Sequence, residues 1–503
     1  MKSQTTKTLI AIAITASLGI SGNAMAGSQN SATITQIIDS PNPAVGQEAT
    51  VYQTGLLNQA DVTQVGDDQT ATILQDGVWH EAYVDSNGQT NSVEIVQTDD
   101  WHVSTTNING NGNEATVAQF NYFNTSTIDI TGDTNSADIM QDGEQNEAVV
   151  ELLGDENTTE VTQEGNGNFG VFRVEGDNND GLITQIGDNN TAGMVSLDIT
   201  PNIGNNNDVE VYQEGSSNLG AVKGVAGDNN NFVVTQVGDS NTGFVYALTG
   251  SDNEISLDQT GNTNTAYLAF TDGNDNDVEI IQDGNNNTIG DTLTAEIEGD
   301  DNTIDIEQEG NYNGAEFQVF GSENDIDLDQ EGNSNFATFG AYGDDNDIDL
   351  SSDGDMNTTV AFTTGDDNDI EIAQEGDKNY GYVDIEGNDN EVDVEQDGGD
   401  NESLVTIVGF DNTNVETTQV GDLNLIDLII VGDENSAMIE QTGERNWVGG
   451  EEEPAFRVDG SDNTLIIAQS GNDNLVMGSQ IGDSNTISVT QTGDYNTATV
   501  MQN

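Results

Sequence analysis

Two histidines and many carboxylates are the side chains of this sequence that could do chemistry. His80 and His102 each follow a tryptophan, Trp79 and Trp101. A histidine serves nucleophilic catalysis when a serine or cysteine lies beside it, and no such motif accompanies either histidine. Paired carboxylates of the glycosidase type occur throughout an acidic sequence and therefore identify no site. We predict a structural or surface position for both histidines and no enzymatic activity.

Metal-binding motifs are incomplete in this chain. The nearest match to an EF-hand loop is Asp272-x-Asn274-x-Asn276, which has Asp277 where the loop needs glycine. The calcium-binding repeats of secreted toxins need a nine-residue glycine-rich period, which this sequence does not keep. Because the chain has no cysteine, disulfides and thiolate zinc sites are excluded. The sequence predicts no cofactor, apart from cations that neutralise its acidic side chains.

The charge balance excludes several classes of partner. The 503 residues include 92 Asp and Glu against 7 Lys and Arg, which gives a formal net charge of -85. Nucleic acids and anionic membrane surfaces bind clustered cations, so neither is a predicted partner. Only 33% of the residues are hydrophobic, and low hydrophobicity with high charge is typical of disordered chains. An ordered structure therefore requires a strong repeating pattern.

Residues 1–26 have the features of a secretory signal peptide. Lys2 and Lys7 precede an apolar stretch over residues 9–20, and Ala24 and Ala26 form a small-residue cleavage site. The apolar stretch is too short to span a membrane, and no later segment is apolar enough to do so. We therefore expect an exported protein without a transmembrane segment.

A glutamine recurs every 11 and then about every 22 residues over more than 400 residues. Disorder does not preserve such a register, so the chain is predicted to be a repeat protein. Ser352 occupies one expected glutamine position. The glutamines of the register are Gln53, Gln64, Gln75, Gln97, Gln119, Gln141, Gln163, Gln185, Gln213, Gln236, Gln259, Gln282, Gln308, Gln330, Gln374, Gln396, Gln419, Gln441, Gln469 and Gln491.

Each half-repeat of about 11 residues predicts one strand and one turn. In residues 302–308 the alternation places Asn302, Ile304, Ile306 and Gln308 on one face and the acidic residues on the other. A Gly-Asp/Asn-x-Asn segment follows each strand, and these residues tolerate the left-handed backbone of a tight turn. The predicted fold is all-β: a two-sheet β-solenoid of about twenty 22-residue strand-turn-strand-turn coils.

Stacked coils would place each inward amide above its own copy. Amide side chains both donate and accept hydrogen bonds, so they can form continuous ladders along the axis. About twenty coils at ~4.8 Å would make a rod on the order of 100 Å long. The predicted ladder contains the glutamines of the register, except Gln97. It also contains asparagines of the same repeat pattern, namely Asn58, Asn146, Asn168, Asn302, Asn324, Asn368, Asn390 and Asn496.

The irregular segments predict where the array is interrupted. We assign residues 27–52 to a first coil or cap whose loop contains Pro41 and Pro43. Residues 53–503 form the repeat solenoid, with longer loops near 193–206 and 447–456, which contain Pro201 and Pro454. Proline is not accepted in a central strand because it lacks the backbone N–H donor.

The repeat resembles that of the curlin family, the subunits of bacterial curli fibres. Gln53, Gly55, Asn58, Ala60 and Gln64 match the family pattern, and the same spacing returns from Gln491 to Gln502. The resemblance implies an extracellular, self-assembling amyloid subunit of the biofilm matrix that functions in adhesion. It also implies a nucleator and an outer-membrane secretion channel as partners. This chain differs by its greater length, by aliphatic residues at most second glutamine positions, and by a short segment before the first repeat.

The two outward faces are predicted to differ. One is acidic and is a candidate for binding Ca²⁺ or other cations through Asp325, Asp327, Asp329, Asp347, Asp349, Glu391, Asp393 and Glu395. The other is less acidic and more aromatic. It is a candidate for lateral contacts through Phe169, Phe336, Tyr342, Tyr380 and Tyr382.

Three functions remain open at this point. The chain is a fibre subunit, a monomeric acidic adhesin, or a nucleator of another subunit. The last half-repeat, residues 496–502, keeps the full repeat pattern with no polar cap after Asn503, which favours polymerisation by end-to-end stacking.

Overall fold

The computed structural model describes residues 29–37, 46–193, 202–246, 249–290, 295–449 and 455–502. The predicted signal peptide lies outside these residues, as do Pro41, Pro43, Pro201 and Pro454. The predicted loop regions near 193–206 and 447–456 are described only in part.

The described residues form two parallel β-sheets, each built by strands that stack on their equivalents in the next coil. We call the first the glutamine sheet, because its strands carry the glutamine register. Its strands are β2 (Glu48–Leu56), β4 (Thr70–Val78), β6 (Ser92–Asp100), β8 (Glu114–Tyr122), β10 (Ser136–Glu144), β12 (Thr158–Glu164), β14 (Asp180–Ile186), β17 (Asp208–Glu214), β19 (Asn231–Val237), β21 (Glu254–Asn262), β23 (Asp277–Asn285), β26 (Thr303–Asn311), β28 (Asp325–Asn333), β30 (Asp347–Asp353), β32 (Asp369–Glu375), β34 (Glu391–Asp397), β36 (Val415–Val420), β38 (Ser436–Thr442), β41 (Thr464–Ser470) and β43 (Thr486–Thr492).

The second sheet is the aliphatic sheet, in which most glutamine positions hold an aliphatic residue. Three of its coils contain two short strands in place of one: β15 with β16, β24 with β25, and β39 with β40. Its strands are β1 (Ser31–Ile37), β3 (Gln59–Asp67), β5 (Glu81–Gln89), β7 (Val103–Asn109), β9 (Thr125–Thr131), β11 (Glu147–Leu153), β13 (Phe169–Glu175), β15 (Thr191–Gly193), β16 (Asn202–Ile203), β18 (Leu219–Lys223), β20 (Thr242–Tyr246), β22 (Thr265–Asp272), β24 (Thr288–Ile289), β25 (Ala295–Glu298), β27 (Gly314–Phe320), β29 (Phe336–Tyr342), β31 (Thr358–Thr364), β33 (Tyr380–Glu386), β35 (Glu402–Val408), β37 (Leu425–Val431), β39 (Trp447–Gly449), β40 (Phe456–Asp459), β42 (Leu475–Ile481) and β44 (Thr497–Gln502).

The strand pattern predicted from alternation is the one observed. In β26, Ile304, Ile306 and Gln308 are buried while the acidic residues between them are exposed. Each strand pairs in parallel with the equivalent strand of the next coil, and Gln308 aligns with Gln330. The inward side chains of both sheets form one continuous core along the axis. The prediction of a two-sheet β-solenoid of about twenty coils is confirmed.

The turns require two positions with positive φ. In the turn after β14, Gly187 has φ of 115° and Asn189 has φ of 58°. The second position also holds large residues elsewhere, such as Trp79 and Met356, with φ of 66° and 62°. The glycine is needed for a further reason, because a Cβ on Gly332 would lie 2.1 Å from the carbonyl oxygen of Gly354 in the next coil.

No helix in the described ranges is both long and apolar enough to cross a membrane.

Candidate functional site

The glutamines of the glutamine sheet hydrogen-bond to one another along the axis. Gln75 Nε2 donates to Gln97 Oε1 at 2.9 Å, and Gln97 Nε2 donates to Gln119 Oε1 at 2.9 Å. The second N–H of Gln97 donates across the core to the carbonyl oxygen of Glu81, at 3.1 Å. Both amide hydrogens are therefore used, one along the rod and one between the two sheets. This explains how a buried polar residue is accommodated in every coil.

The ladder of side-chain amides runs from Gln53 to Gln330 and again from Gln374 to Gln491, with Ser352 at the position between the two runs. Gln53 donates to Gln75 at 2.8 Å, and Gln469 donates to Gln491 at 2.9 Å. At Ser352 the hydroxyl group donates to Gln374 Oε1 over a longer distance, 3.4 Å. The remaining links join Gln119, Gln141, Gln163, Gln185, Gln213, Gln236, Gln259, Gln282, Gln308 and Gln330, then Gln374, Gln396, Gln419, Gln441 and Gln469.

Gln64 was grouped with this ladder from its spacing, but it lies in β3 of the aliphatic sheet. There its Oε1 accepts a hydrogen bond from Gln36 Nε2 at 2.7 Å. In the next coil Ser86 occupies the equivalent position. The structure therefore places Gln64 on the opposite side of the core from Gln53 and Gln75.

The asparagines form two further buried columns, one before the strands of each sheet. Asn146 donates its backbone N–H to Asn124 Oδ1 at 2.9 Å, and Asn146 Nδ2 donates to the carbonyl oxygen of Gly165 at 2.8 Å. Asn146 thus links turns of successive coils through backbone groups, whereas in the column before the glutamine sheet the side-chain amides also bond to one another, as Asn324 Nδ2 does to Asn302 Oδ1 at 2.9 Å. Asn58, Asn146, Asn168 and Asn496 lie in the column before the aliphatic sheet, and Asn302, Asn324, Asn368 and Asn390 lie in the other.

Both histidines occupy asparagine positions in the first of these columns. His80 and His102 are fully buried, and their rings stack at 5.2 Å. His102 Nδ1 accepts the backbone N–H of Asn124 at 3.2 Å, as an asparagine oxygen does elsewhere, and His102 Nε2 lies 2.7 Å from the carbonyl oxygen of Thr98. This network assigns the proton to Nε2. The histidines are structural residues.

The tryptophans before the histidines form an exposed aromatic stack on the turn. Trp79 and Trp101 lie 4.8 Å apart with nearly parallel rings, and Phe123 continues the stack at 5.6 Å from Trp101. All three occupy the second positive-φ position of the turn, which points the side chain away from the core. Stacking of this kind contributes about 0.5–1.5 kcal/mol per pair beyond burial.

Many of the turn aspartates and asparagines form a fourth ladder, which the sequence analysis did not identify. Asp133 donates its backbone N–H to Asp155 Oδ1 at 2.7 Å, and Asp155 donates in the same way to Asp177 at 2.7 Å. The residue involved is the one directly after the turn glycine. Its recurrence as Asp or Asn was the available signal, because both types supply the accepting oxygen. Part of the negative charge of the chain therefore has a structural role.

The predicted acidic residues lie on the outer surface of the glutamine sheet, in columns along the axis. One column runs without interruption through Glu279, Asp305, Asp327, Asp349, Glu371, Asp393 and Glu416. A second contains Asp325, Asp347, Asp369 and Glu391. Asp329 and Glu395 belong to a third, which is interrupted by Ser351 and Ala373.

Several aspartates of these columns have carboxyl groups that are harder to ionise than free ones. Partial burial against the sheet, together with the charges of Glu371 and Glu416, raises the pKa of Asp393 to about 6. Partial burial and the charges of their own neighbouring carboxylates also raise the pKa of Asp327, Asp329, Asp347 and Asp349. Within the described ranges, no group of three or more histidines and carboxylates has the geometry to hold a metal ion. The neighbouring carboxylates of these columns repel one another.

The predicted lateral residues lie on the outer surface of the aliphatic sheet. Phe336 is 39% exposed, and Phe169, Tyr380 and Tyr382 are half-buried. Tyr342 stacks on Phe320 at 5.5 Å and donates its hydroxyl to Gln318 Oε1 at 2.7 Å. Val171, two residues after Phe169 in the same strand, is only 5% exposed.

The candidate site therefore consists of hydrogen-bond ladders that run along the axis of the solenoid. The outer surfaces of the two sheets are chemically different. Each coil donates ladder hydrogen bonds to the coil on one side and accepts the same kind of hydrogen bond from the coil on the other side. The arrangement joins each coil to the next coil of the same pattern.

The comparisons agree with this geometry. No curated protein matches the chain. The family model of the curlin associated repeat matches it in thirteen segments: residues 47–77, 66–98, 132–165, 154–187, 204–238, 227–261, 250–284, 299–332, 321–354, 365–398, 387–413, 460–493 and 482–503. These segments cover more than half of the chain, and they fall on the coils that carry the amide ladders. The chain therefore belongs to the curlin-repeat family.

Proposed function

We propose that the protein is a secreted structural subunit that polymerises end to end into an extracellular, amyloid-like fibre. Such a fibre would serve the biofilm matrix and adhesion to cells or surfaces, as the family resemblance implies. The proposal includes export directed by residues 1–26, an outer-membrane secretion channel, and a nucleating subunit as partners. The repeat family is structural, and the role proposed for this chain is likewise non-enzymatic.

The observation that carries the proposal is the glutamine ladder. The same hydrogen bond joins neighbouring coils from Gln53 to Gln330 and from Gln374 to Gln491, with donor and acceptor in the same order in both runs. The first and last glutamine-sheet strands keep the inward pattern of the interior ones, and Val51 and Val489 are partly buried core residues. Stacking one molecule on the next would repeat the contacts that already hold each molecule together.

The charge distribution is compatible with this mode of growth. The outward residues of β43 are Thr486, Ser488, Thr490 and Thr492, while the unbroken carboxylate columns lie in the middle of the chain. Adjacent unit charges ~4 Å apart repel by about 1 kcal/mol even in water. Contact between end coils therefore avoids the strongest repulsion, whereas contact between acidic faces does not.

The test is a pair of substitutions in the first glutamine-sheet strand. Val51→Asp places a carboxylate in the core between stacked molecules, where burial without a partner costs several kcal/mol. Tyr52→Asp adds the same charge to the neighbouring outward position, which is 62% exposed. We expect Val51→Asp to slow seeded elongation at least about tenfold and Tyr52→Asp to elongate like the wild type, as followed by thioflavin fluorescence and electron microscopy.

Two results would contradict the proposal. One is elongation of Val51→Asp at the wild-type rate. The other is a wild-type protein that remains monomeric from low salt to ~1 M NaCl, where the Debye length is about 3 Å and charge repulsion is screened. The second result would favour a monomeric acidic adhesin.

A further inference from the structure

Six consecutive coils of the solenoid have strongly contrasting outer faces. On the glutamine sheet, strands β26 to β36 carry the carboxylate column that includes Asp305, Asp327, Asp349 and Asp393. On the aliphatic sheet, strands β27, β29, β31, β33, β35 and β37 belong to the same coils and are outwardly apolar at many positions. We call this second surface the apolar face; it includes Phe336, Tyr342, Phe362, Tyr382, Leu404 and Ile429.

The apolar face is flat where its aromatic residues lie. Gly340 is an outward position without a side chain, and a Cβ there would lie 3.0 Å from the Tyr342 ring and 3.1 Å from the Phe362 ring. These rings therefore lie over the glycine and not upright from the sheet. Phe320 stacks on Tyr342 at 5.5 Å with an interplanar angle of 11°.

The six strands are also uninterrupted, each with seven residues. The split strand β24 with β25 precedes them, and β39 with β40 follows them. The apolar face is therefore a bounded surface between two coils whose aliphatic-sheet strand is divided in two.

We propose that the apolar face binds the apolar face of a second copy of this chain, so that two solenoids pair side by side with their acidic faces outward. The inference is independent of end-to-end polymerisation, because it concerns a different surface of the rod. Two identical faces related by a two-fold axis form a closed, self-complementary interface.

The charges favour this occupant over other lateral arrangements of two rods. Pairing through the two glutamine sheets would bring uninterrupted carboxylate columns together. Pairing the glutamine sheet of one rod with the apolar face of the other would bury one set of carboxylate columns. On the apolar face, outward carboxylates do not form a column: they are Glu316, Asp384, Glu386, Glu402 and Asp427, which occupy scattered positions of the six strands. Pairing through the apolar faces keeps the acidic columns in solvent.

The area is sufficient for a specific contact. Six strands at ~4.8 Å and seven residues at ~3.3 Å give a surface of about 29 by 23 Å, or on the order of 650 Å². A typical stable interface buries about 800 Å² on each partner, and weaker specific contacts bury less. Sheets that pack face to face lie ~10 Å apart, so the flat-lying rings described above would pack against their counterparts.

The experiment separates side-by-side pairing from end-to-end growth. The Val51→Asp variant serves as the background, because under the function proposed above it slows elongation at least about tenfold. Into it we introduce Phe362→Glu with Leu404→Glu on the apolar face, or Ser351→Glu with Ala373→Glu on the glutamine sheet of the same coils. The second pair is the matched control, since it adds the same charge without changing the apolar face. Sedimentation equilibrium at micromolar concentration gives the mass, and circular dichroism checks the fold.

We expect the background protein and the control to sediment as dimers in ~1 M NaCl, where charges are screened beyond about 3 Å, and the apolar-face variant to sediment as a folded monomer. A monomeric background protein would overturn the proposal, as would a dimer in all three proteins. Binding of the background protein to phosphatidylcholine vesicles, without dimers, would also overturn it and identify a lipid surface as the occupant. If Val51→Asp still elongates, the polymerisation proposal fails, and the pairing is then read from fibre width.

Discussion

At the scale of single residues, the ladder glutamines are the polar groups on which the core depends. Most of them use the amide oxygen and both amide hydrogens, so that the removal of one such glutamine affects three neighbours. For Gln97 these are Gln75, Gln119 and the carbonyl of Glu81. A buried group left without its hydrogen bond costs about 1–3 kcal/mol.

Gln97→Leu is therefore expected to lower the free energy of unfolding by about 2–4 kcal/mol, although leucine is more apolar and similar in size. The measurement is chemical denaturation followed by circular dichroism. The control is Thr72→Val, which changes an exposed outward residue of β4 and should alter the free energy by less than about 0.5 kcal/mol. Equal stability of Gln97→Leu and the wild type would show that the ladder is dispensable.

The buried histidines are expected to make the fold sensitive to acid. Burial lowers the pKa of His102 to about 4, from an ordinary value of 6.5, and burial also lowers the pKa of His80. Between pH 6.5 and 4 the unfolded chain therefore binds protons that the folded chain does not. The contribution of His102 to stability is complete above pH 6.5 and is lost as the pH falls toward 4.

His102→Asn replaces the ring with the residue that occupies this column in most coils. We expect little change at pH 7.5, and an advantage for the variant that grows to about 3 kcal/mol near pH 4, since each unit of pKa difference corresponds to about 1.4 kcal/mol. Comparing the two proteins at each pH removes the contribution of the carboxylates that they share. A constant difference across this pH range would disprove the assignment.

At the scale of strands and turns, the close approach of coils determines which residues the turns accept. Gly332 has φ of 116°, and its position leaves no room for a Cβ next to Gly354 of the following coil. Ser334, two residues later, has φ of 61° but is exposed. The choice of residue at the position of Gly332 is limited both by contact with the next coil and by the backbone angle. At the position of Ser334 it is limited by the backbone angle alone.

These two positions give opposite predictions within one turn. Gly332→Ala should destabilise the protein by several kcal/mol, because the backbone of two coils must separate. Ser334→Gly should be neutral or stabilising by up to about 1 kcal/mol, because glycine adopts positive φ without strain. Thermal unfolding of both variants checks the pair, and destabilisation of similar size in both would contradict the distinction.

At the scale of the whole molecule, the net charge of -85 opposes the compact rod. Partial burial and neighbouring charges raise the pKa of Asp393 to about 6 and also raise those of Asp305, Asp327 and Asp369. Because these folded-state pKa values lie above the ordinary value of 3.8, the folded chain binds more protons than the unfolded one in this range. The resulting stabilisation is complete below pH 3.8 and is lost as the pH rises through about 6.

We therefore expect unfolding midpoints to increase when the pH is lowered from 7 to 5, since the raised carboxyl groups outnumber the two buried histidines. Added NaCl should stabilise the protein more at pH 7 than at pH 5, because fewer charges remain to be screened. Replacing NaCl by CaCl₂ at equal ionic strength tests for specific calcium binding, for which a much larger effect of Ca²⁺ is the sign. A lower midpoint at pH 5 would mean that the histidines dominate.

The sequence by itself determined the architecture of this protein. The alternation in residues 302–308 is a local property, and the recurrence of glutamine at a fixed distance gives the length of a coil without knowledge of any contact. Those two facts lead to inward Ile304, Ile306 and Gln308 and to the two-sheet solenoid. The amide ladder follows, because equivalent residues of successive coils must stack.

The tertiary structure alone decided which partners each side chain has. Asparagines bind backbone groups of the next turn, His80 and His102 replace them in a buried column, and Gln64 lies across the core from Gln53. Coils also vary in length, and among the described residues the split strands belong to the aliphatic sheet. The lengths of the coils must be known before the apolar face and the acidic face can be assigned to the same coils. Such contacts join residues of different coils, so they depend on the stacking of the whole chain and not on local pattern.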